Sequence, residues 1–257
     1  MSESHYSEFF AEFYDILHSH LDDVEAYKKL VSRSGGDILE LGSGTGRILI
    51  PLAREGNRVT GLEASEKMLK VCRKKMKDET DDTTGNIDLI QGDIREFDLD
   101  KGFDMILAPC NLVNYLDTSD LKRTLSRVRS HLADEGVLVI DNSIPDVERM
   151  VENDGEEQVF EYEHPENGRK IIDSFTATYD FVDQIERDKI IISEYDGEKK
   201  TRETAIEETL TFYFPRELKV ILRCQGFEIL EERGSLHENV PITEDSEEMI
   251  LFCRPRD

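Results

Sequence analysis

The sequence contains no tryptophan, only four cysteines among 257 residues, and far fewer basic than acidic side chains. None of the cysteines (Cys72, Cys110, Cys224 and Cys253) forms a CxxC pair or has zinc-finger spacing. This favours reduced thiols in a cytoplasmic protein. The 32 basic and 57 acidic residues give a net charge of −25. Because Lys and Arg supply most nucleic-acid affinity, we expect no nucleic acid and no anionic membrane as partner.

Long apolar runs are also missing. The N-terminal segment MSESHYSEFFAEFYDIL is polar and interrupted by acids, unlike a secretory signal. No apolar run approaches the roughly 20 residues that cross a bilayer. The length fits one large domain, or one domain that carries an insertion.

The first half of the sequence alternates between strand and helix patterns. Strands are predicted at 37–41, 58–62, 87–90, 103–107 and 136–140, and helices at 22–33, 45–55, 65–78 and 119–133. This alternation predicts a Rossmann-like α/β fold, in which helices cover both faces of a parallel sheet.

The pattern changes to short strands after about residue 155. Segments rich in β-branched and aromatic residues lie at 157–164, 169–182, 187–196 and 204–214. Asn-Gly and Asp-Gly pairs at 167–168 and 196–197 are typical hairpin turns. We therefore predict an antiparallel β insert over 155–214, within an α/β domain formed by 1–154 and 215–257. A helix at 216–225 and strands at 227–230 and 249–253 close that domain.

A glycine-rich segment, Glu40-Leu-Gly-Ser-Gly-Thr-Gly-Arg47, lies at the first strand-to-helix turn. Its GxGxG spacing differs from the GxGxxG of dinucleotide sites. Glu63 ends the next strand, 21 positions after Gly42, where a carboxylate accepts hydrogen bonds from ribose hydroxyls. A tight turn with a solvated acid is the alternative, but position and context favour a ribose-containing ligand.

Four segments in sequence order resemble the class I S-adenosylmethionine (SAM)-dependent methyltransferases. LELGSGTGR is similar to their first motif, VTGLEAS to the second and QGDIREF to the third, while FDMILAPCNLVNYL resembles their fourth strand and the following loop. The resemblance covers most of the chain. It implies SAM as cofactor and S-adenosylhomocysteine (SAH) as product.

The same resemblance implies the cofactor-binding residues: Tyr14, Glu40, Gly42, Ser43, Gly44, Gly46, Arg47, Glu63, Ala64, Met68, Asp93, Ile94 and Pro109. The glycines would line the methionine end of SAM, Arg47 would face its carboxylate and Glu63 its ribose. Met68 would pack on the adenine, and Asp93 with Ile94 would hold the adenine edge. Met68 also belongs to an apolar helix stripe, so a role in the core is the alternative reading.

The second half resembles a group of small-molecule N-methyltransferases. The insert, followed by LTFYFPRELKVILRCQGFEILEERG, is similar to the amino-sugar N,N-dimethyltransferases and to the glycine and sarcosine N-methyltransferases. Tyr6 and the Glu12–Asp15 segment match the opening helix of that group, in which a tyrosine closes over SAM. The insert would then be an acceptor lid or a homodimer surface. A histidine common in the loop after the fourth strand is replaced here by Tyr115.

Four polar residues are expected around the acceptor, namely Tyr6, Asn111, Asn114 and Tyr115, with Tyr14 and Tyr115 as orienting groups in catalysis. Methyl transfer to an amine is an in-line displacement that depends mainly on positioning in a dry pocket. The sequence therefore predicts methyl transfer to a small-molecule amine without a metal. The alternatives are O-methylation of a metabolite, a protein or RNA methyltransferase with the insert as docking surface, and a SAM-binding protein without catalysis.

Cys110 follows Pro109 in a way that partly matches the RNA cytosine-C5 methyltransferases. Their preceding aspartate is replaced here by Leu107, and the Asn/Asp-Pro-Pro-Tyr of adenine-N6 enzymes is absent. We therefore predict that Cys110 is a small buried residue beside the site and not a nucleophile.

Overall fold

Two separate sheets organise the computed structural model, which describes residues 8–32 and 36–256. Its strands are β1 (Asp37–Leu41), β2 (Arg58–Glu63), β3 (Ile87–Gln91), β4 (Phe103–Ala108), β5 (Leu132–Ser143), β6 (Glu157–Glu163), β7 (Lys170–Asp180), β8 (Ile185–Asp196), β9 (Lys199–Thr211), β10 (Phe227–Arg233) and β11 (Glu248–Pro255). The larger sheet has the order β10-β11-β5-β4-β1-β2-β3, and the smaller one β6-β7-β8-β9.

The helices are α1 (Glu8–Leu17), α2 (Val24–Val31), α3 (Leu49–Arg54), α4 (Glu66–Met76), α5 (Asp81–Gly85), α6 (Thr118–His131), α7 (Val147–Glu152) and α8 (Pro215–Cys224), with a short 3₁₀ helix over Leu112–Tyr115. Ser65 caps α4 as predicted, because its hydroxyl accepts a hydrogen bond from the Met68 amide at 3.4 Å. Helix α3 begins later than the predicted residue 45, since residues 42–46 are held in the glycine turn. Within residues 8–32 and 36–256, no helix is long and apolar enough to cross a membrane.

The predicted Rossmann-like fold with an antiparallel insert is confirmed. Strands β1 to β5 pair in parallel, as the alternating pattern required. The whole sheet is mixed, because β11 runs antiparallel to both β5 and β10. The loop of residues 234–247 joins β10 to β11 without a crossover helix, and strands so joined run antiparallel. Helices α5 and α7 were not predicted, since each is too short to show an apolar period.

The inner face of the smaller sheet packs on α1. This contact forms an apolar cluster of buried side chains, which are Phe10, Phe13, Leu17, Ile171, Ile192 and Ile206. The rest of the core lies on the two faces of the larger sheet. Helix α1 therefore bridges the insert and the α/β domain.

Candidate active site

The glycine turn after β1 has a backbone conformation that favours glycine. Gly42, Gly44 and Gly46 have φ angles of +65°, +54° and +76°, in the left-handed region that side chains disfavour. A Cβ on Gly42 would lie 2.7 Å from Leu112 Cδ1, and one on Gly46 would lie 2.6 Å from Cys72 Sγ. At Gly44 the nearest atom would be Met68 Cε at 3.7 Å. Gly44 is therefore the glycine of this turn with the most room for a ligand.

Glu63 ends β2 and points its carboxylate at this turn. One oxygen accepts a hydrogen bond from the Gly44 amide at 3.0 Å, and the other accepts one from the Ser65 amide at 2.7 Å. Burial raises the pKa of Glu63, and the backbone hydrogen bonds act in the opposite direction. Each carboxylate oxygen has a further lone pair. Glu63 is thus fixed in place and can still accept a hydrogen bond from a ligand hydroxyl, while Ala64 follows it in the chain.

Two further polar side chains at the turn are buried. Glu40 is 2% exposed, and its Oε2 atom has no hydrogen-bond partner among the described residues. Burial raises its pKa to about 8, although the nearby Arg47 acts to lower it. The Ser43 hydroxyl is likewise buried without a partner in that part of the chain. Such atoms are costly unless a ligand or water satisfies them.

Arg47 lies in a polar cluster on the other side of the turn. Its guanidinium donates to both oxygens of Asp23, at 2.5 and 2.8 Å, and to Cys110 Sγ at 3.0 Å. Burial acts to raise the pKa of Asp23, but the hydrogen bond from Arg47 lowers it overall. Arg47 therefore has a protein partner, which the sequence pattern did not predict. Its role toward the SAM carboxylate stays a prediction.

Cys110 differs from the small buried residue that we predicted. It is only partly buried, has a φ of +52°, and its sulfur contacts Arg47, Asp23 and the Tyr27 hydroxyl. Burial raises the pKa of the thiol well above its usual value. A thiol held in its neutral form is a poor nucleophile, so this environment disfavours covalent chemistry.

Tyr27 and Asp141 complete the polar cluster, and sequence reasoning missed both. The Tyr27 hydroxyl donates to Asp141, which also accepts a hydrogen bond from the Cys110 amide at 3.3 Å. Burial raises the pKa of Asp141 to about 6. Asp141 follows an apolar strand run, which gives no sign of a partner in α2.

Asp93 lies after β3 and is bound by a residue that the motif did not highlight. Its carboxylate accepts hydrogen bonds from the Arg95 amide and guanidinium, which also reaches Asp120 at 2.7 Å. Burial raises the pKa of Asp93, but the Arg95 hydrogen bonds lower it overall. Met68 and Ile94 are each 3% exposed. Both side chains are apolar and buried, which agrees with a place in the core and with a contact to adenine, so the adenine role stays a prediction.

Helix α1 is tied to the glycine turn by Asp15. Its carboxylate accepts hydrogen bonds from the Thr45 hydroxyl and the Lys75 ammonium, both at 2.6 Å. Tyr14 stacks on His18 with ring centroids 4.1 Å apart, and burial raises the pKa of its hydroxyl. Tyr6, predicted to line the acceptor site, lies outside the described residues.

The loop after β4 carries three of the four predicted acceptor residues, Asn111, Asn114 and Tyr115. Pro109 and Cys110 lead into Asn111, which has a φ of +59° and accepts a hydrogen bond from the Ser143 amide at 2.5 Å. Asn114 Oδ1 is buried and has no partner among the described residues. The Tyr115 hydroxyl donates to a carboxylate of the insert, Glu208 Oε2, at 3.4 Å.

A cavity of about 280 Å³ lies between this loop, the segment after β5 and the inner face of the insert. Its walls include Asn114, Arg149, Met150, Phe175, Tyr179 and Glu186. Polar side chains and aromatic rings share these walls, so the cavity is a candidate site for a polar small molecule. No group of side chains that could hold a metal ion is found within residues 8–32 and 36–256.

Comparisons with known proteins cover the α/β domain and, for some relatives, the whole chain. Residues 38–136 match a family described as a methyltransferase domain. The chain is 27% identical over 251 residues to the cypemycin N-terminal methyltransferase of Streptomyces sp, a match that covers 96% of each protein. It is 30% identical over 149 residues to the dTDP-4-amino-2,3,4,6-tetradeoxy-D-glucose N,N-dimethyltransferase of Saccharopolyspora spinosa, which covers 54% of this chain and 57% of the relative.

The match to the first curated relatives spans about half of their length, 53% and 47% of the two proteins. Among solved structures, the CcbJ methyltransferase from Streptomyces caelestis superposes with a TM-score of 0.82 at 21% identity, and covers 100% of both chains. This likeness extends over the α/β domain and the insert together and supports the fold. The predicted resemblance to methyltransferases, including the amino-sugar N,N-dimethyltransferases, is confirmed.

Proposed function

We propose that this chain, which carries a methyltransferase domain in residues 38–136, is an enzyme that transfers the methyl group of SAM to an amine nitrogen of a small molecule. The observation that carries the proposal is the carboxylate of Glu63 fixed on the Gly44 amide at 3.0 Å. This pair lies where the carboxyl ends of two parallel strands meet, which is the position of a ribose-binding acid in such folds.

The residues at this edge fit SAM. Glu63 offers lone pairs to a ribose diol, and Gly44 leaves room for a ligand against the backbone. The buried Glu40 oxygen without a protein partner is a further group that a polar ligand would satisfy. Met68 and Ile94 supply apolar surface for an adenine ring. SAM would supply a methyl group activated by a sulfonium.

The acceptor is proposed to lie between the loop after β4 and the insert. Asn114, with its buried unpartnered oxygen, lines the cavity there, and Tyr115 lies beside it on the same 3₁₀ helix. These groups would orient the acceptor, while Phe175 and the insert would exclude water. Orientation and desolvation supply much of the acceleration in such displacements.

An amine is favoured over a hydroxyl by the relatives. The Saccharopolyspora spinosa relative is named an N,N-dimethyltransferase of an amino sugar, and two further relatives carry names of the same kind. A second candidate acceptor is the N-terminal amine of a peptide. It is supported by the cypemycin N-terminal methyltransferase, whose similarity extends over 96% of this chain, including the insert.

Calorimetry with SAH tests the cofactor part of the proposal. Replacing Glu63 with Ala should weaken SAH binding by about 1–3 kcal/mol, because ribose hydroxyls would lose their buried acceptor. The matched control is Glu66→Ala, which removes a carboxylate that is about half exposed, three residues further along the chain. Wild-type SAH affinity in Glu63→Ala, or equal losses in both variants, would contradict the ribose role.

A further inference from the structure

Three carboxylates of the insert, which the sequence motifs did not single out, share one patch of its inner face. Glu186 and Asp188 alternate along β8 with Ile190 and Ile192, and Ile192 packs against α1. Asp188 is directly opposite Glu208 on β9 in the strand register. Because side chains alternate between the two faces of a strand, Glu186, Asp188 and Glu208 lie on the side that faces the α/β domain. We call these three residues the acidic patch.

The acidic patch adjoins the proposed acceptor cavity. Glu186 lines the cavity and is hydrogen-bonded to both Tyr179 and Asp188. Glu208 accepts the hydrogen bond from Tyr115 at 3.4 Å. The patch therefore touches the loop after β4 at one point and the cavity wall at another.

Burial and charge make this arrangement unfavourable by itself. Asp188 is 6% exposed and Glu208 is 9% exposed, and Asp188 Oδ1 has no hydrogen-bond partner among the described residues. The pKa of Asp188 is raised by its burial and by the neighbouring charges of Glu186 and Glu208. The pKa of Glu186 is raised by its burial. Like charges placed directly opposite across a ladder destabilise a sheet.

A cation would resolve the conflict. Besides burial, the groups that shift the pKa values of Asp188 and Glu186 are neighbouring carboxylates and the Tyr179 hydroxyl. Arg149, the cation on the cavity wall, acts on Tyr179. Buried carboxylates are normally paired with a cation or held neutral. The unpartnered Asp188 oxygen and the adjoining cavity together indicate that the missing partner is a ligand and not a side chain.

We propose that the acidic patch is the ammonium-recognition site of the acceptor pocket, and that Asp188 accepts a proton from the bound ammonium before methyl transfer. This inference rests on the proposed function and narrows its substrate class to primary and secondary amines that bind as cations. Glu186 and Glu208 act as positioning residues, since they fix Asp188 and add negative potential. Neutral hydroxyl acceptors gain nothing from such a site.

The proton and methyl steps balance. The ammonium R₂NH₂⁺ gives one proton to the Asp188 carboxylate and becomes the neutral amine R₂NH. The nitrogen lone pair then forms the N–C bond while the C–S bond of SAM breaks, and the bonding electrons stay on sulfur to give SAH. The product leaves as the N-methylammonium ion, and Asp188 releases its proton to solvent. A carboxylate whose pKa is raised toward neutrality suits this exchange.

The test uses the full chain with SAM and matched pairs of acceptors. The amines are glucosamine, benzylamine, a dTDP-linked amino sugar and a peptide with a free N-terminus. Their partners are glucose, benzyl alcohol, the corresponding dTDP-sugar and the N-acetylated peptide. Wild-type protein should methylate at least one amine and neither its hydroxyl nor its acetyl partner. Asp188→Asn should lower kcat/KM for that amine by at least about 100-fold, as for other buried charge pairs that lose one partner.

Matched variants separate recognition from structure. Glu208→Gln should raise KM for the amine more than it lowers kcat, since it removes charge and not the proton acceptor. Glu207→Gln is the control, because Glu207 is exposed on the other face of β9, opposite Lys189. It should match wild type. All three variants should bind SAH as wild type does and unfold cooperatively.

The outcomes distinguish the two proposals. Failure of wild-type protein to bind SAH would overturn the proposed function itself. Normal SAH binding with Asp188→Asn within threefold of wild type in kcat/KM would overturn the ammonium site alone. Methylation of the hydroxyl partners as readily as the amines, or SAH binding without turnover of any amine in the set, would also count against the site.

Discussion

Individual residues at the glycine turn are selected by backbone geometry and by the atoms packed around them. Gly42 and Gly46 are excluded from carrying a side chain by Leu112 and Cys72, at 2.7 and 2.6 Å from where a Cβ would lie. Packing therefore requires glycine at positions 42 and 46, whereas at Gly44 the space beside the backbone is open to a ligand. Reading the glycine spacing alone could not separate these two reasons.

Glu40 provides a test of burial at the scale of one residue. Its pKa is raised to about 8 in the folded chain, mainly by burial, from 4.5 for an unperturbed glutamate. The folded state therefore binds more protons than the unfolded state between these values, so the stabilising contribution of neutral Glu40 is lost as pH rises through this window. Glu40→Gln keeps the shape and is always neutral.

We expect the stability advantage of Glu40→Gln over wild type to grow between pH 5 and 8, by up to about 1.4 kcal/mol per pH unit. Urea unfolding of the ligand-free protein at pH 5, 6.5 and 8 measures it. Glu66→Gln, at an exposed site, is the matched control for removing a carboxylate. A pH-independent difference for Glu40→Gln would mean that Glu40 is ionised in the fold and has an unrecognised partner.

At the scale of elements, helix α1 joins the insert to the cofactor edge. Its apolar side packs on Ile171, Ile192 and Ile206, and its polar side reaches Thr45 and Lys75 through Asp15. The sequence indicated an opening helix by resemblance. It could not indicate these anchors, because they join residues 30 and 60 positions apart.

Removing the polar anchor should loosen α1 without unfolding the chain. Asp15→Ala deletes both hydrogen bonds, and because the Asp15–Lys75 pair is about one-third exposed we expect a modest loss of SAH affinity, roughly 2–5-fold. Hydrogen exchange of α1 amides should be faster in this variant. Glu12→Ala, which removes a partner of Arg202 on the insert side of the same helix, is the matched control for the turn. If Asp15→Ala left both exchange and affinity unchanged, the tether would have no role in holding α1 on the site.

Most elements of this fold were predictable because their patterns are long and regular. The insert strands were predicted at 157–164, 169–182, 187–196 and 204–214, close to the strands β6 to β9. The acidic patch went unnoticed for a physical reason. Alternation places Glu186 and Asp188 in phase with Ile190 and Ile192, yet polar residues in a strand are ordinarily assigned to the solvent side. Acidic residues in phase with the apolar face of a strand were the available signal.

At the scale of the whole molecule, we propose that one sheet carries the cofactor site and the other forms a wall of the acceptor cavity. The α/β domain carries the glycine turn and Glu63, and the insert supplies the aromatic and acidic wall of the cavity. The predicted boundaries of the insert, 155 and 214, remain a prediction. Tyr213 shows where a deletion of the insert must stop if the core is to stay intact. Tyr213 is fully buried and donates to the Leu116 carbonyl at 2.7 Å, so it belongs with the α/β domain in packing.

Deleting the insert tests this division. A variant that replaces residues 155–211 with a short Gly-Ser linker keeps Tyr213 and every residue of the glycine turn. We expect SAH affinity to stay within about tenfold of wild type, with some loss because α1 would lose its apolar support on Ile171 and Ile192. Turnover should fall by at least about 100-fold, since the acceptor would lose its enclosing wall and water would enter. The measurements are calorimetry with SAH and methyl transfer to the amine set, in protein shown by circular dichroism to unfold cooperatively.

Undiminished turnover would show that the insert is not the wall of the acceptor pocket. Complete loss of SAH binding in a folded variant would place α1 and the insert within the cofactor site.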